Sequence, residues 1–404
     1  MAQEEALGDV KVVEFGGYAA GPAIGKHLAN FGARVVHVES QARPDGFRLE
    51  YPPWKDDRVE PDMSGCFSYF NDSKHAVTLD LKSEAGRALA RRLATWADVI
   101  IENMRPGVMA RLGLAPEKLL EEKPSLVVLS TTNLGQTGPY ATHPGFGSQL
   151  SSLSGFTELI GHAGGPPNFI YGPYIDLIAV AFGGAVVLAA LDHSRRTGQG
   201  AVIDLSQYET GLQFLGGALL DYAATGAVAH RNGNHDPNAV PHGCYPCRDG
   251  GWCVISCWGD DEWRRLGEAT GEGWATDSRF AAAAGRRTHE RELDERLTGW
   301  TRTRNDAEVM TALQAAGVHA GAVRTMRDLF EDPQLASRSI WQQLEHRSIG
   351  PQRYRMVSYQ LSKTPGRVSR PAPCLGQDNE LVFRQWLGLA PQEYEELAAR
   401  GAFA

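Results

Sequence analysis

Residues Asp9 to Phe15 alternate β-branched and polar positions and run into Gly16-Gly17-Tyr18-Ala19-Ala20-Gly21-Pro22. The pattern predicts a strand, a glycine turn, a helix from about Ala23 to Phe31 stopped by Gly32, and a second strand over Arg34 to Glu39. The stretch Arg43 to Ser73, rich in Pro, Asp and aromatic residues, reads as a long loop. Beyond it come a strand over Ala76 to Leu81, a helix capped by Ser83 and running to Trp96, and strands over Asp98 to Glu102 and Ser125 to Thr131. Between the last two, Asn103-Met104-Arg105-Pro106-Gly107 opens a short helix ending at Gly113. Strands alternating with helices at this spacing imply a doubly wound parallel sheet, Rossmann-like in plan. In such sheets ligands lie beyond the C-terminal strand ends, where Tyr18, Asn103, Met104 and Arg105 fall.

Leu134 to Pro167 holds twelve Gly and Pro residues and reads as a long functional or mobile connection. Ala201 to Ser206 is a further strand, and Gln207 to Thr225 a mostly apolar helix. From about Arg231 the texture changes to a hairpin around Asp249, helices near Asp260 to Gly267, His289 to Thr301 and Asp306 to Ala316, and a strand over Val318 to Arg324. The last part offers a strand near Ile340 to His346, a long loop and a helix over Gln377 to Gly388. The α/β pattern thus divides into a large domain over residues 1–225, a smaller α+β domain over 226–330 and a C-terminal segment, 331–404.

Composition narrows the classes. With 404 residues, 42% hydrophobic and 22% charged, the chain has the makings of an ordinary soluble protein with two cores. A formal net charge of −8 argues against nucleic acid as a partner. The longest apolar run, Leu177 to Leu191, falls short of the roughly 18 residues that span a bilayer. No membrane partner is therefore expected, and the acidic start Met1-Ala2-Gln3-Glu4-Glu5 lacks signal-peptide order, so a cytoplasmic location is expected.

The candidate chemistry centres on Tyr171-Gly172-Pro173-Tyr174-Ile175-Asp176, set before that apolar run. Asp176 has two compatible readings, a helix N-cap and a placed nucleophile. The first-turn amides and helix dipole would stabilise its ionised form by roughly 0.3–1 kcal/mol. Cys244, Cys247, Cys253 and Cys257, with His235 and His242 upstream, raise a zinc site. The hairpin pattern places Cys253, Ile255 and Cys257 on one strand face, which favours structural thiols, and no metal is expected.

The glycines after the first strand do not match G-x-G-x-x-G, although the helix start offers amides to a phosphorylated ligand. A set of short runs is more specific. They are Ala20-Gly21-Pro22 with Gly32-Ala33-Arg34-Val35, Val77-Thr78-Leu79-Asp80-Leu81-Lys82, and Glu102-Asn103-Met104-Arg105-Pro106-Gly107. Gly135-Gln136-Thr137-Gly138-Pro139-Tyr140, Asp176, Arg196-Thr197-Gly198-Gln199-Gly200 and Ala316-Gly317-Val318 follow in order. By these runs the chain resembles the family III CoA-transferases, also called the formyl-CoA transferase or carnitine CoA-transferase family.

The resemblance implies transfer of CoA from an acyl-CoA donor to a free carboxylic acid, through an aspartyl-CoA thioester on Asp176, in an interlocked dimer. Acyl-CoA and a small acid are then the partners, CoA serves as substrate, and no prosthetic group is implied. It places Gly17, Tyr18, Ser40, Lys74, Asn103, Met104 and Arg111 near CoA, with Arg105 adjacent; Arg43, Lys74, Arg105 and Arg111 are the candidates for phosphate. Two departures stand out: some relatives carry glutamine at Ala19, and many an acidic residue at Gly147. The rival within the superfamily is an α-methylacyl-CoA racemase, but its histidine position falls at Phe146, which cannot move a proton; His143 and His162 are loop histidines nearby. Another alternative is a partner-dependent subunit of a heteromer. A serine hydrolase lacks its G-x-S-x-G, and Ser148, Ser151 and Ser206 look structural. Phe146, Phe169, Tyr171, Tyr174 and Trp258 suggest an aromatic-walled acceptor pocket, and the resemblance to related branches of the family implies succinyl-CoA as donor and an aryl-substituted dicarboxylate such as benzylsuccinate as acceptor.

Overall fold

The computed structural model describes residues 5–404. They form two compact units, one built from residues up to Thr157, Phe169–Ala229 and Gln334–Ala404, the other from Glu158–Asn168 and His230–Pro333.

The large unit is organised by six parallel strands: β1 (Lys11–Phe15), β2 (Arg34–Glu39), β3 (His75–Thr78), β4 (Val99–Glu102), β5 (Val127–Thr132) and β6 (Ala201–Ser206). Their spatial order is β3-β2-β1-β4-β5-β6, the doubly wound order expected from the alternating pattern. The order reverses between β1 and β4, so the crevice at the switch point opens at Gly16–Tyr18 and Asn103. Helices cover both faces because the strands are apolar on both. Val12, Val35, Ile101 and Leu129 belong to one core, and Val13, Val36, Ile100 and Val128 to the other. The C-terminal segment seals the β3 edge: Ala76 N–H donates to Asp378 at 3.0 Å and Thr78 N–H to Asn379 at 2.9 Å.

Several expectations need correction. The first helix runs Ala20–Ala29, three residues earlier than predicted, because Pro22 sits in its first turn, where the missing N–H costs nothing. The predicted loop over Arg43 to Ser73 contains helices Gly46–Leu49 and Gly65–Asn71, capped by the side chains of Asp45 and Ser64 and anchored by buried Phe47, Phe67 and Phe70. Helix Gly147–Leu153 likewise interrupts the glycine-rich connection, and Gln207 to Thr225 is broken around Gln213–Leu215. The loop after His346 folds back as a strand, Gly350–Arg355, on Trp341–His346, and the last helix is Pro391–Ala399.

The helix carrying Asp176 is also longer than its apolar run suggested. It spans Tyr174–Thr197, long and apolar enough by length and composition to cross a membrane. Along one face it packs into the core: Gly183 lies against Ile24, where a Cβ would come within 2.4 Å, and Ile178, Val180, Val187 and Leu191 are buried.

The small unit has an antiparallel sheet of β7 (His242–Pro246), β8 (Trp252–Ser256) and β9 (His319–Ala322). Asp249 at φ 64° and Gly250 at φ 80° turn the β7–β8 hairpin. Cys253, Ile255 and Cys257 face a core with Trp263, Leu293 and Leu313, and the thiols are free. Among the described residues no cluster suits a metal ion.

Candidate active site

The site grows from the turn after β1. Gly16, at φ 128°, packs so close to Asn103 that a Cβ there would fall 1.9 Å from its Oδ1. Asn103 follows β4 directly and holds the next residue from both sides, its Oδ1 accepting from Gly17 N–H at 3.0 Å and its Nδ2 donating to Gly17 O at 2.6 Å. Tyr18 sits at φ 62°, a left-handed conformation costly for a bulky side chain. Asp45 holds it there, its Oδ1 accepting from Tyr18 N–H at 3.0 Å and from Phe47 N–H at 2.8 Å. Asp45 lies 27 residues from Tyr18, and nothing in its loop-like surroundings marked it.

The Tyr18 hydroxyl donates to Glu50 at 2.8 Å, and burial, then Glu50, lifts its pKa to about 12. Its ring stands edge-on to Phe47, Tyr51 and Phe146, at 5.4, 6.4 and 5.8 Å. Phe146 leads to Gly147, and Gly147 leads to Asp176. A Cβ on Gly147 would lie 2.2 Å from Asp176 Oδ2, so the carboxylate occupies space that only glycine leaves open.

Asp176 is not the helix cap. Pro173 holds the N-cap position, and Asp176 is the third helical residue. The residue is partly exposed, yet its Oδ2 is sealed from solvent and has no hydrogen-bond partner among the described residues. Burial raises its pKa from 3.8 to about 6, opposed by a backbone hydrogen bond. A carboxylate oxygen cut off from water and without a hydrogen-bond partner is a better nucleophile than a capped one, because no hydrogen bond to that oxygen must be broken before it attacks.

The other predicted residues divide. Met104 N–H donates to Glu102 at 2.8 Å, turning the chain just past β4. Arg105, Arg111 and Arg43 are exposed, with Arg111 folded back over Gly107, and Ser40 is half-buried, its Oγ accepting from Ala42 N–H at 3.2 Å. Lys74 behaves differently. Its ammonium is fully buried and donates to Glu14, Pro22 O and Asn71 at 2.8, 2.6 and 2.9 Å. As the side chain stands it does not reach a phosphate; its charge balances Glu14 inside the protein. Ala19 is buried and offers no polar group. Ser151 donates to Gly147 O and Ser206 caps a helix, both structural. A concavity of about 730 Å³ on the small unit, lined by residues including His242, Cys244, Ser256 and His319, contains no carboxylate nucleophile.

A doubly wound sheet with a clamped turn at its switch point and a largely desolvated carboxyl nearby is an arrangement suited to an α/β enzyme of group transfer. A family model described as CoA-transferase family III matches residues 7–379, and the chain belongs to that family as a CoA-transferase. It is 34% identical to succinyl-CoA–D-citramalate CoA-transferase of Chloroflexus aurantiacus, over 98% of this chain and 97% of that protein. The alpha subunit of succinyl-CoA–L-malate CoA-transferase from the same organism is 31% identical, covering 98% and 92%. A crystal structure of a CAIB/BAIF family protein from Brucella suis superposes with a TM-score of 0.87 at 30% identity, covering 95% of this chain and all of the other.

Proposed function

We propose that Asp176 is the nucleophile of a succinyl-CoA:dicarboxylate CoA-transferase. A carboxylate oxygen of Asp176 attacks the thioester carbonyl and expels CoA thiolate, leaving a mixed anhydride. The thiolate then attacks the aspartyl carbonyl, forming the aspartyl-CoA thioester and releasing succinate. The acceptor carboxylate attacks that thioester in turn, and the liberated thiolate takes the acceptor acyl group from the second anhydride, regenerating Asp176. What carries this reading is the sealed, unpartnered Oδ2 of Asp176 above Gly147. The racemase alternative needs a proton-moving group at Phe146, whose ring is 54% exposed and packed on Tyr18.

Gly17, Tyr18, Asn103 and Met104 would receive CoA at the switch point, with Arg43, Arg105 and Arg111 available to its phosphates. The relatives' names favour a hydroxy-substituted dicarboxylate as acceptor. The aromatic wall of Tyr18, Tyr51 and Phe146 favours an aryl-substituted one, such as benzylsuccinate. Of the other candidate wall residues, Tyr174 packs on Phe156, while Tyr171 and Phe169 point to solvent.

A dimer, interlocked or with a related subunit, would cover the apolar surface of the large unit. Helix Gly216–Thr225 has no buried residue yet presents Leu219, Leu220 and Tyr222, and Tyr174–Thr197 exposes Leu177, Phe182 and Leu188. We place the enzyme in the cytoplasm on its family chemistry, since acyl-CoA is an intracellular substrate.

The test is to incubate the protein with succinyl-CoA, quench with hydroxylamine and map modified peptides by mass spectrometry. A hydroxamate confined to Asp176 supports the mechanism. An unmodified Asp176 during demonstrable turnover rules it out.

A further inference from the structure

Beneath the Tyr18 turn lies a closed set of charges that the transfer chemistry does not use. His37, on β2, has no solvent exposure. Its Nδ1 lies 3.0 Å from Glu14 Oε2 on β1, and its Nε2 lies 3.4 Å from Asp45 Oδ2, an ion-pair distance without hydrogen-bond geometry. Glu14 is held in addition by Lys74, at 2.8 Å, and Glu39 by Arg48, at 2.7 Å. Asp45 N–H donates to Glu39 Oε1 at 2.9 Å, joining the two pairs. From the remaining side the Phe67 ring, 5.9 Å away, closes the space.

The charges decide the state of the ring. Lys74 is pulled toward neutrality by burial, with Glu14 opposing. Yet it donates to three acceptors, which takes all three N–H groups of an ammonium. Among the described residues Glu14, Glu39 and Asp45 then face Lys74 and Arg48 as fixed cations, and Arg48 is shared with the half-buried Asp62 at 3.2 Å. An unbalanced buried charge is expensive, and a protonated His37 supplies the missing one. Burial works against the charged ring, but Asp45 and Glu14, with Glu39 behind them, lift it to about 9.

Asp45 is the carboxylate that holds Tyr18 at its strained φ. We propose that His37 is a positioning residue of this transferase, bridging Glu14 to Asp45 and thereby holding the Gly17–Tyr18 turn in the shape that receives acyl-CoA. This rests on Gly17 and Tyr18 contacting CoA. Loss of the proton leaves Asp45 an unbalanced buried anion, so the buried turn loses stability relative to opened forms in which Asp45 and the Tyr18 amide are hydrated, while Asp176 is untouched. Acyl-CoA binding, rather than the chemical step, is what changes.

The experiment compares wild type with His37→Gln and His37→Lys by hydrogen exchange of the amides around Tyr18 and by steady-state kinetics from pH 6 to 10. In wild type, KM for acyl-CoA rises through about pH 9 with kcat nearly flat. His37→Gln exchanges the Tyr18 amide faster and raises KM roughly ten- to hundredfold at neutral pH, as loss of a charged partner would. It has no alkaline rise. His37→Lys, which keeps a cation, restores slow exchange and the neutral KM. A folded His37→Gln with wild-type Tyr18 exchange, or with the alkaline rise in KM intact, overturns the proposal. If exchange quickens in the variant but CoA does not protect these amides in wild type, the CoA contact it rests on is what fails, and His37 has no part in the reaction.

Discussion

Replacing Asp176 by Asn tests whether the proposed nucleophile is held at a cost to stability. The structure raises the Asp176 pKa from 3.8 to about 6 by burial. Each tenfold change in a protonation constant is about 1.4 kcal/mol, so ionised Asp176 destabilises the native state by about 3 kcal/mol at neutral pH. The sign follows from the direction. A carboxyl with a raised native pKa binds its proton more tightly when folded, so its contribution is nil below about pH 3, turns unfavourable between about pH 4 and 6, and stays constant above. Asparagine does not titrate, and any fixed cost of burying its amide cancels when two pH values are compared. Relative to wild type, Asp176→Asn should therefore become more stable by about 3 kcal/mol between pH 3.5 and 7.5. For a unit of roughly 290 residues, at about 2 cal/mol/K per residue, that is a relative shift in Tm of about 5 °C. Calorimetry or circular dichroism across this range, on both proteins in the same buffers, reads it directly. A constant Tm difference would show that Asp176 is solvated in the native protein and that its burial is not what activates it.

Three further outcomes follow from the same geometry. Gly147→Ala places a methyl 2.2 Å from Asp176 Oδ2, so the carboxylate must turn away, and kcat should fall at least tenfold with KM for acyl-CoA within a factor of about three; unchanged kcat would show that the observed carboxylate position is not the reactive one. Asn103→Ala removes both hydrogen bonds to Gly17, and at about 1 kcal/mol each KM for acyl-CoA should rise roughly thirtyfold in steady-state assays. Leu220→Glu, at a position 71% exposed, should leave the melting of a monomer within about 0.5 kcal/mol but weaken assembly; light scattering over a concentration series would show it, and an unaltered mass would remove this face from the dimer.

The alternation of apolar residues was enough for the large sheet. β2 and β6 lie where the pattern placed them, and Ser83 caps its helix by accepting from Gly86 N–H, because strand period and helix cap are local properties of a few neighbouring residues. Asn103 and Tyr18 were legible as crevice residues because the C-terminal strand ends of a doubly wound sheet are predictable positions. The short helices after Asp45 and Phe146 leave no signal in the pattern because one or two turns give no period to detect, and burial of Phe47 in the first and Leu150 in the second, not propensity, holds them.

By itself, then, the sequence determined the doubly wound parallel class of the sheet, the location of its crevice and the carboxylate at Asp176 that is the candidate nucleophile. Only tertiary structure decided what each charged group does. Lys74 looked like a phosphate ligand and is neutralised by Glu14, 60 residues away; Asp45 looked like loop and clamps the Tyr18 turn; Asp176 read as both a cap and a placed nucleophile, and is the third helical residue with its Oδ2 unpartnered among the described residues. The reason is that charge pairing and desolvation depend on which distant side chains meet in the folded chain, and a local pattern along one strand or helix carries no record of that.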